Sequence, residues 1–207
     1  MDVKGPGTLK FKEIEHKYVV GEDFDREAFR AALDALKPVR HATLHVRDRY
    51  FITESGRARG FVLRHRFDRE LHELTLKSIV SDAEVREEIN LKLQAGDQQA
   101  QVDAFVAAQG VLWQGALWKD LEVWHFHDCE AVFYAATADG RGAGVQGSPA
   151  VKVVRCVEFE ATVKPSREEA LAIVSRYEHA TGFADRTRTP ESLLALLWPE
   201  AASIWRG

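Results

Sequence analysis

Cysteine is nearly absent from this chain: Cys129 and Cys156 are the only two in 207 residues. So sparse a pair excludes a disulfide framework and a cysteine-built zinc site, and reads as two reduced thiols in a cytosolic protein. No apolar run approaches the roughly 20 residues of a membrane span, and the first residues carry no apolar signal core. A soluble cytoplasmic protein without membrane partners is expected. There is no basic excess either. The net charge is -4 and the pI about 6.1, which disfavours a nucleic acid as partner. Glycines at 139–149 are not followed by Gly-Lys-Ser/Thr, so they form no phosphate loop. Internal repeats, low-complexity tracts and linkers are also missing.

The chain does hold 45% hydrophobic and 29% charged residues, with 10% aromatics. That composition suits one globular domain over 1–207 with a sizeable core. Alternating patterns predict strands over 10–20, 39–53, 60–67, 71–80, 81–95, 111–127, 131–137 and 151–163. A capping box at Ser81 and Glu84 competes with the strand over 81–95. Asp25 caps a helix through Phe29, Leu33 and Leu36, which Pro38 ends. A second helix runs from Gly96-Asp97 to near Gly110. Ser166 with Glu169 caps a third. Thr189-Pro190 starts a last short helix, and Ser55-Gly56 marks a turn. Helices that mostly trail the strands predict an α+β fold with an antiparallel sheet.

The charges fall at every second position. In Glu13-Ile14-Glu15-His16-Lys17, two carboxylates and a lysine share one strand face. Arg64 with Arg66, Glu73 with Thr75 and Lys77, Arg86 with Glu88, and Glu158 with Glu160 repeat the pattern. If the strands curl into a closed barrel, these faces line its interior. Buried charges persist when paired or metal-bound. Carboxylates can hold a hard cation, and basic side chains can hold phosphoryl oxygens. Surface ion pairing, worth at most about 1 kcal/mol per pair, is the alternative for any one strand.

Other residues invite weaker readings. His125, His127 and Asp128 could make a transition-metal site, although an amphipathic strand end fits them better. His41 and His45 read as ordinary polar positions. His65 has the opposite parity to Arg64 and Arg66 and should face outward. Trp198 and Trp205 read as seals between helices and barrel, and Arg186, Arg188 and Arg206 as solvated surface.

The ordered set of motifs resembles the CYTH domains, also called triphosphate tunnel metalloenzymes. Glu13-Ile14-Glu15-His16-Lys17 is similar to the family's E-x-E-x-K. Asp48 to Thr53, Leu63-Arg64-His65-Arg66, Leu74-Thr75-Leu76-Lys77, Arg86-Glu87-Glu88 and Glu158-Phe159-Glu160 resemble its later elements in order. The resemblance implies an eight-stranded antiparallel β-barrel (tunnel) with helices packed outside. It implies binding of a small-molecule triphosphate or polyphosphate with Mg2+ or Mn2+. By motif, Glu13, Glu15, Glu158 and Glu160 would bind metal. Lys17, Arg64, Arg66, Lys77, Arg86 and Lys119 would clasp phosphates, with Lys17 and Glu88 nearest the chemistry. That chemistry would be attack of water on a terminal phosphorus. A class IV-type adenylyl cyclase and a non-catalytic polyphosphate-binding module remain alternatives, and a homodimer is compatible with the size. The chain departs from the family at Ile52. It also departs at Leu121, where an arginine is usual, and over Val132 to Ala136, which lacks an aspartate.

Overall fold

Alternation of apolar and charged residues closes the chain into a barrel. The computed structural model describes residues 11–67, 72–78, 85–94, 98–139, 152–162 and 166–206, with backbone alone at 11–13, 85–87, 205 and 206. The strands are β1 (Phe11–Val20), β2 (Arg40–Thr53), β3 (Phe61–Phe67), β4 (His72–Ser78), β5 (Val85–Lys92), β6 (Val111–His125), β7 (Cys129–Ala138) and β8 (Val153–Ala161). They hydrogen-bond in the order β1-β5-β4-β3-β2-β6-β7-β8, and β8 returns to β1. Every pairing is antiparallel. Closure removes free strand edges and gives each strand an inner and an outer face.

The helices are α1 (Arg26–Ala35), α2 (Glu54–Arg59), α3 (Gln99–Ala107), α4 (Arg167–Thr181), α5 (Leu193–Leu197) and α6 (Pro199–Arg206). The outer faces of β1, β6, β7 and β8 present Tyr18, Trp124, Phe133 and Phe159 to Phe29 and Leu33 of α1 and Val174 of α4. The outer faces of β2, β3 and β4 present Phe51, Leu63 and Leu74 to Val102 and Val106 of α3. Burying each such side chain contributes about 1.5–3 kcal/mol, so these contacts fix which face of every strand turns inward. Inside the barrel, Val46, Tyr50, Leu121 and Val123 pack with Leu193, Leu194 and Leu197 of α5 and Ala201 of α6. The last two helices therefore lie against the lumen, not on the outer wall.

The capped helices at Asp25 and Ser166 form as the sequence predicts, with Asp25 accepting from Ala28 N and Ser166 from Glu169 N. Two other expectations need correction. Ser55-Gly56 is not a turn: Thr53 Oγ1 accepts from Gly56 N at 3.0 Å and nucleates α2. Gly60, at φ 77°, ends that helix in the left-handed region. The last helix does not start at Thr189-Pro190. Thr189 Oγ1 instead accepts from Glu191 N, and Ser192 caps α5 through Ala195 N. Pro199 then opens the unforeseen α6, where its missing N–H is harmless.

Val85–Lys92 is a strand, as its alternation requires. The competing Ser81–Glu84 box and the glycines beyond Asp139 lie outside the described residues. No helix among the described residues is long and apolar enough to cross a membrane.

Candidate functional site

The inner faces of the strands enclose a cavity of about 920 Å³. Alternation brings the charged pairs into it: Glu15 and Lys17 from β1, Arg64 and Arg66 from β3, Lys77 from β4, Glu88 from β5, Lys119 from β6, and Glu158 and Glu160 from β8. Each basic side chain already meets a carboxylate. Lys17 Nζ lies 3.2 Å from Glu15 and 3.0 Å from Glu158. Arg64 donates to Glu73 at 3.2 Å and to Thr75 Oγ1 at 3.0 Å. Lys77 pairs with Glu88. Arg66 forms a fork to both oxygens of Asp48, each at 2.7 Å, and Lys119 Nζ lies 3.6 Å from the same carboxylate.

These pairs are buried, which raises the stakes of every contact. Asp48 is fully buried. Burial opposes its ionisation, but the charge and paired hydrogen bonds of Arg66, with Lys119 and Arg64 behind, hold it below the usual carboxylate range. Lys119 shows the reverse balance. Burial pushes its ammonium down to about 8 against the pull of Asp48. Its Nζ sits 4.6 Å from the centre of the Tyr134 ring, a cation–π contact. Tyr134 donates to Glu158 at 2.7 Å, and burial keeps that phenol protonated. Arg64 Nε is buried without a hydrogen-bond partner among the described residues. Such an orphaned donor is costly and suits an oxygen-rich ligand.

Among the described residues, carboxylates exceed cations here. The side chains of Lys17, Arg64, Arg66, Lys77 and Lys119 face those of Glu15, Asp48, Glu73, Glu88, Glu130, Glu158 and Glu160. Glu15 stands opposite Glu160 across β1 and β8, and Glu160 stands opposite Glu130 across β8 and β7. Like charges directly opposite repel, and a divalent cation relieves that. Mg2+ is commonly held by one or two carboxylates together with substrate phosphates, so the donor set fits such an ion. Among the described residues no three His, Cys, Asp or Glu side chains converge into a ready-made cage.

Glu130 escaped the sequence reading, which took His125 only with His127 and Asp128 and not as a cavity residue. Glu130 and His125 face each other across the β6–β7 hairpin, with Nδ1 and Oε1 2.8 Å apart, and both line the cavity. The parity of His125 with Lys119 was the available signal. His127, with which His125 was grouped, lies exposed beyond the end of β6. The Glu13 and Arg86 side chains lie outside the described ones, but their backbones are paired in register across β1 and β5.

Outside the lumen, His65 does face away from Arg64, yet it is buried. His41 stacks on Trp124 and bonds the buried Glu122, which also holds Arg26 and Arg30 of α1. His45 stacks on Trp118. Trp198 packs edge-on against Trp113, sealing α5 to the barrel, and the Trp205 and Arg206 side chains are outside the described ones. Arg186 lies over Phe183, and Arg188 bonds His16 beside Glu178, so neither is merely solvated.

A closed antiparallel barrel with a lumen of paired charges, α1, α3 and α4 on its outer faces and α5 and α6 against the lumen, defines an α+β tunnel fold. The chain belongs to the CYTH domain family, which it matches over residues 12–180. Three solved structures share the fold. The PH1012 protein from Pyrococcus horikoshii OT3 is 18% identical, with a TM-score of 0.65 over 89% of this chain and 99% of that one. A conserved hypothetical protein from Pyrococcus furiosus is 21% identical, with a TM-score of 0.61 over 89% and 99%. A putative adenylate cyclase from Bacillus halodurans is 17% identical, with a TM-score of 0.56 over 91% and 98%. No curated protein sequence matches the chain.

Proposed function

We propose that the lumen binds a triphosphate together with Mg2+ or Mn2+ and that the chain hydrolyses it. The observation that supports this most is the carboxylate row Glu15, Glu160 and Glu130 beside five buried or half-buried basic side chains in one cavity. A triphosphate polyanion alone would meet an excess of carboxylates among the described side chains, and a divalent cation would offset part of that repulsion. Glu13, Glu15, Glu158 and Glu160 would hold the cation, whose chemistry when bound would be to offset charge on phosphoryl oxygens. Lys17, Arg64, Arg66, Lys77, Arg86 and Lys119 clasp the phosphates, with the arginines suited to two-point contacts.

Water then attacks the terminal phosphorus, the adjacent P–O anhydride bond breaks, and a diphosphate leaves. In this reading Glu88 takes the proton that water loses, and Lys17 neutralises the leaving oxygen. Membership of the CYTH domain family supports the reading. A phosphate-release screen with tripolyphosphate, thiamine triphosphate and nucleoside triphosphates, with each cation, tests it. Release with at least one is expected, falling at least 100-fold in Lys17→Ala and Arg64→Ala. No release from folded protein overturns it.

The apolar wall at Leu121, Val123 and Val132 motivates a second reading, a polyphosphate-binding module without turnover. Tight binding with no product distinguishes it, and cyclic AMP formed from ATP in the same screen distinguishes a cyclase.

A further inference from the structure

We infer that Tyr134 is a positioning residue of the lumen: its hydroxyl sets Glu158 for a divalent cation, and its ring sets Lys119 for phosphate. This rests on the reading of the cavity as a cation and triphosphate site, and it adds the side chain that orients two of its groups.

Antiparallel register puts Tyr134 between the two. It lies on β7, opposite Leu121 of β6 on one side and Cys156 of β8 on the other. Lys119 and Glu158 are each two residues from those neighbours, so both are diagonal to Tyr134, and all three line the cavity. Diagonal neighbours in a sheet lie within reach of an aromatic or long side chain. Lys119 Nζ accordingly lies 4.6 Å from the ring centre, and the hydroxyl donates to Glu158 Oε1 at 2.7 Å.

Packing accounts for the ring but not for the hydroxyl. Tyr134 is 1% exposed and packs with Leu121, Val154 and Cys156, where a phenylalanine would fill the same space. A hydroxyl buried there is costly unless it is bonded. Its partner Glu158 also stands opposite Lys17 across β8 and β1, and Lys17 Nζ is 3.0 Å from the same oxygen, Oε1. Two donors from the strands on either side of β8 thus fix one oxygen by charge-assisted bonds. Both bonds fall on Oε1, which leaves Oε2 to a ligand in the cavity. Without the hydroxyl, Glu158 would keep only Lys17, itself shared with Glu15 at 3.2 Å. A carboxylate so loosely held must be ordered when a cation binds, at a cost in side-chain entropy.

The ring acts on the other side. Lys119 is buried, and Asp48, 3.6 Å away, is already forked to Arg66. The face of Tyr134 gives the ammonium a second attraction that holds it in place.

Substitution separates the two tasks. Mn2+ is titrated onto the full chain without triphosphate, by spin resonance of the free ion. Tripolyphosphate is titrated at saturating Mn2+, by calorimetry. Tyr134→Phe removes the hydroxyl and keeps the ring, so Mn2+ should weaken at least about fivefold and tripolyphosphate less than about twofold. Tyr134→Leu removes both, and tripolyphosphate should then weaken at least about fivefold as well. In a Glu158→Gln background, Tyr134→Phe should change Mn2+ affinity less than about twofold, because the carboxylate it orients is gone. Unchanged Mn2+ affinity in Tyr134→Phe overturns the inference. An equal loss with and without Glu158 does so too, as do parallel losses of Mn2+ and tripolyphosphate in Tyr134→Phe, which mark a general loosening of the barrel. If one substitution prevents folding, the other still reads Mn2+ affinity, and no loss there is equally fatal. A wild type that binds both probes while Tyr134→Phe is unmoved sinks this inference alone. A wild type that binds neither sinks the reading beneath it as well.

Discussion

Lys119 concentrates the electrostatics of the lumen in one side chain. Burial lowers its ammonium to about 8, while Asp48 3.6 Å away keeps it charged at neutral pH. A lowered lysine loses its proton as pH rises through that value. Triphosphate affinity should therefore decline between about pH 7.5 and 9, as one phosphate-facing charge disappears. Lys119→Arg should flatten that decline, because a guanidinium stays charged throughout. Titrations at fixed cation concentration across this range check both, and an unchanged slope in the arginine variant would remove Lys119 from the phosphate grip. The lysine itself was legible in the sequence. Its partner Asp48 was visible as part of a motif but not as an anchor, because the fork to Arg66 joins β2 to β3 and needs the register of the sheet.

The strands were the readable part of the chain, since a period of two survives any tertiary context that keeps one face apolar. The short helices were less so. Thr53 and Ser192 cap α2 and α5 through single hydroxyls, and three residues on they have Gly56 and Ala195 where Ser166 has Glu169. The β3–β4 hairpin and α3 hold a consequence that parity alone could not give. His65 points outward but is covered, with His72, Arg49, Asp103 and, through the wall, Asp48 as its charged or titratable neighbours. His72 Nδ1 donates to Gln94 O, so its Nε2 accepts from His65 Nε2 at 2.8 Å. That leaves His65 Nδ1 buried with no partner among the described residues. Burial first, then His72 and Arg49, lower the His65 imidazole to about 4. The unfolded chain binds this proton near pH 6.5, the folded chain only near 4. Stability is thus full above about 6.5 and falls as pH drops to about 4, on the order of 2–3 kcal/mol from this group. Urea midpoints of wild type and His65→Gln at pH 7.5, 6, 5 and 4 measure it. The variant should lose less over this window, and parallel curves would refute the assignment.

The barrel as a whole gathers its inward charges into a set of internal ion pairs. Closure by β8 on β1 makes separate motifs into one lumen, and this is why Glu13 to Lys17 alone admits a surface-pairing reading and the ordered set does not. Glu130 stayed hidden because Val132 follows it at strand spacing in β7, and Asp128, two residues before it, lies outside the strand. Only the register with Glu160 reveals it. The excess of lumen carboxylates sets a thermodynamic order of binding. Triphosphate without a divalent cation must displace Glu15, Glu73 or Glu88 from their basic partners and then sit beside them. A cation alone gains the Glu15 and Glu160 pair but no phosphate oxygens. Together each removes the other's electrostatic penalty, so their binding should be strongly cooperative. Melting temperature reads this directly, because a ligand stabilises by RT ln(1 + [L]/Kd). At concentrations 100-fold above the joint Kd, the pair should add about 2.7 kcal/mol, while tripolyphosphate with EDTA, or Mg2+ without triphosphate, should each add far less. Glu160→Gln should abolish most of the cooperativity while leaving the fold intact, since the substitution keeps the shape and relieves the repulsion with Glu15 and Glu130. Additive shifts in the wild type would show that cation and triphosphate do not share this lumen.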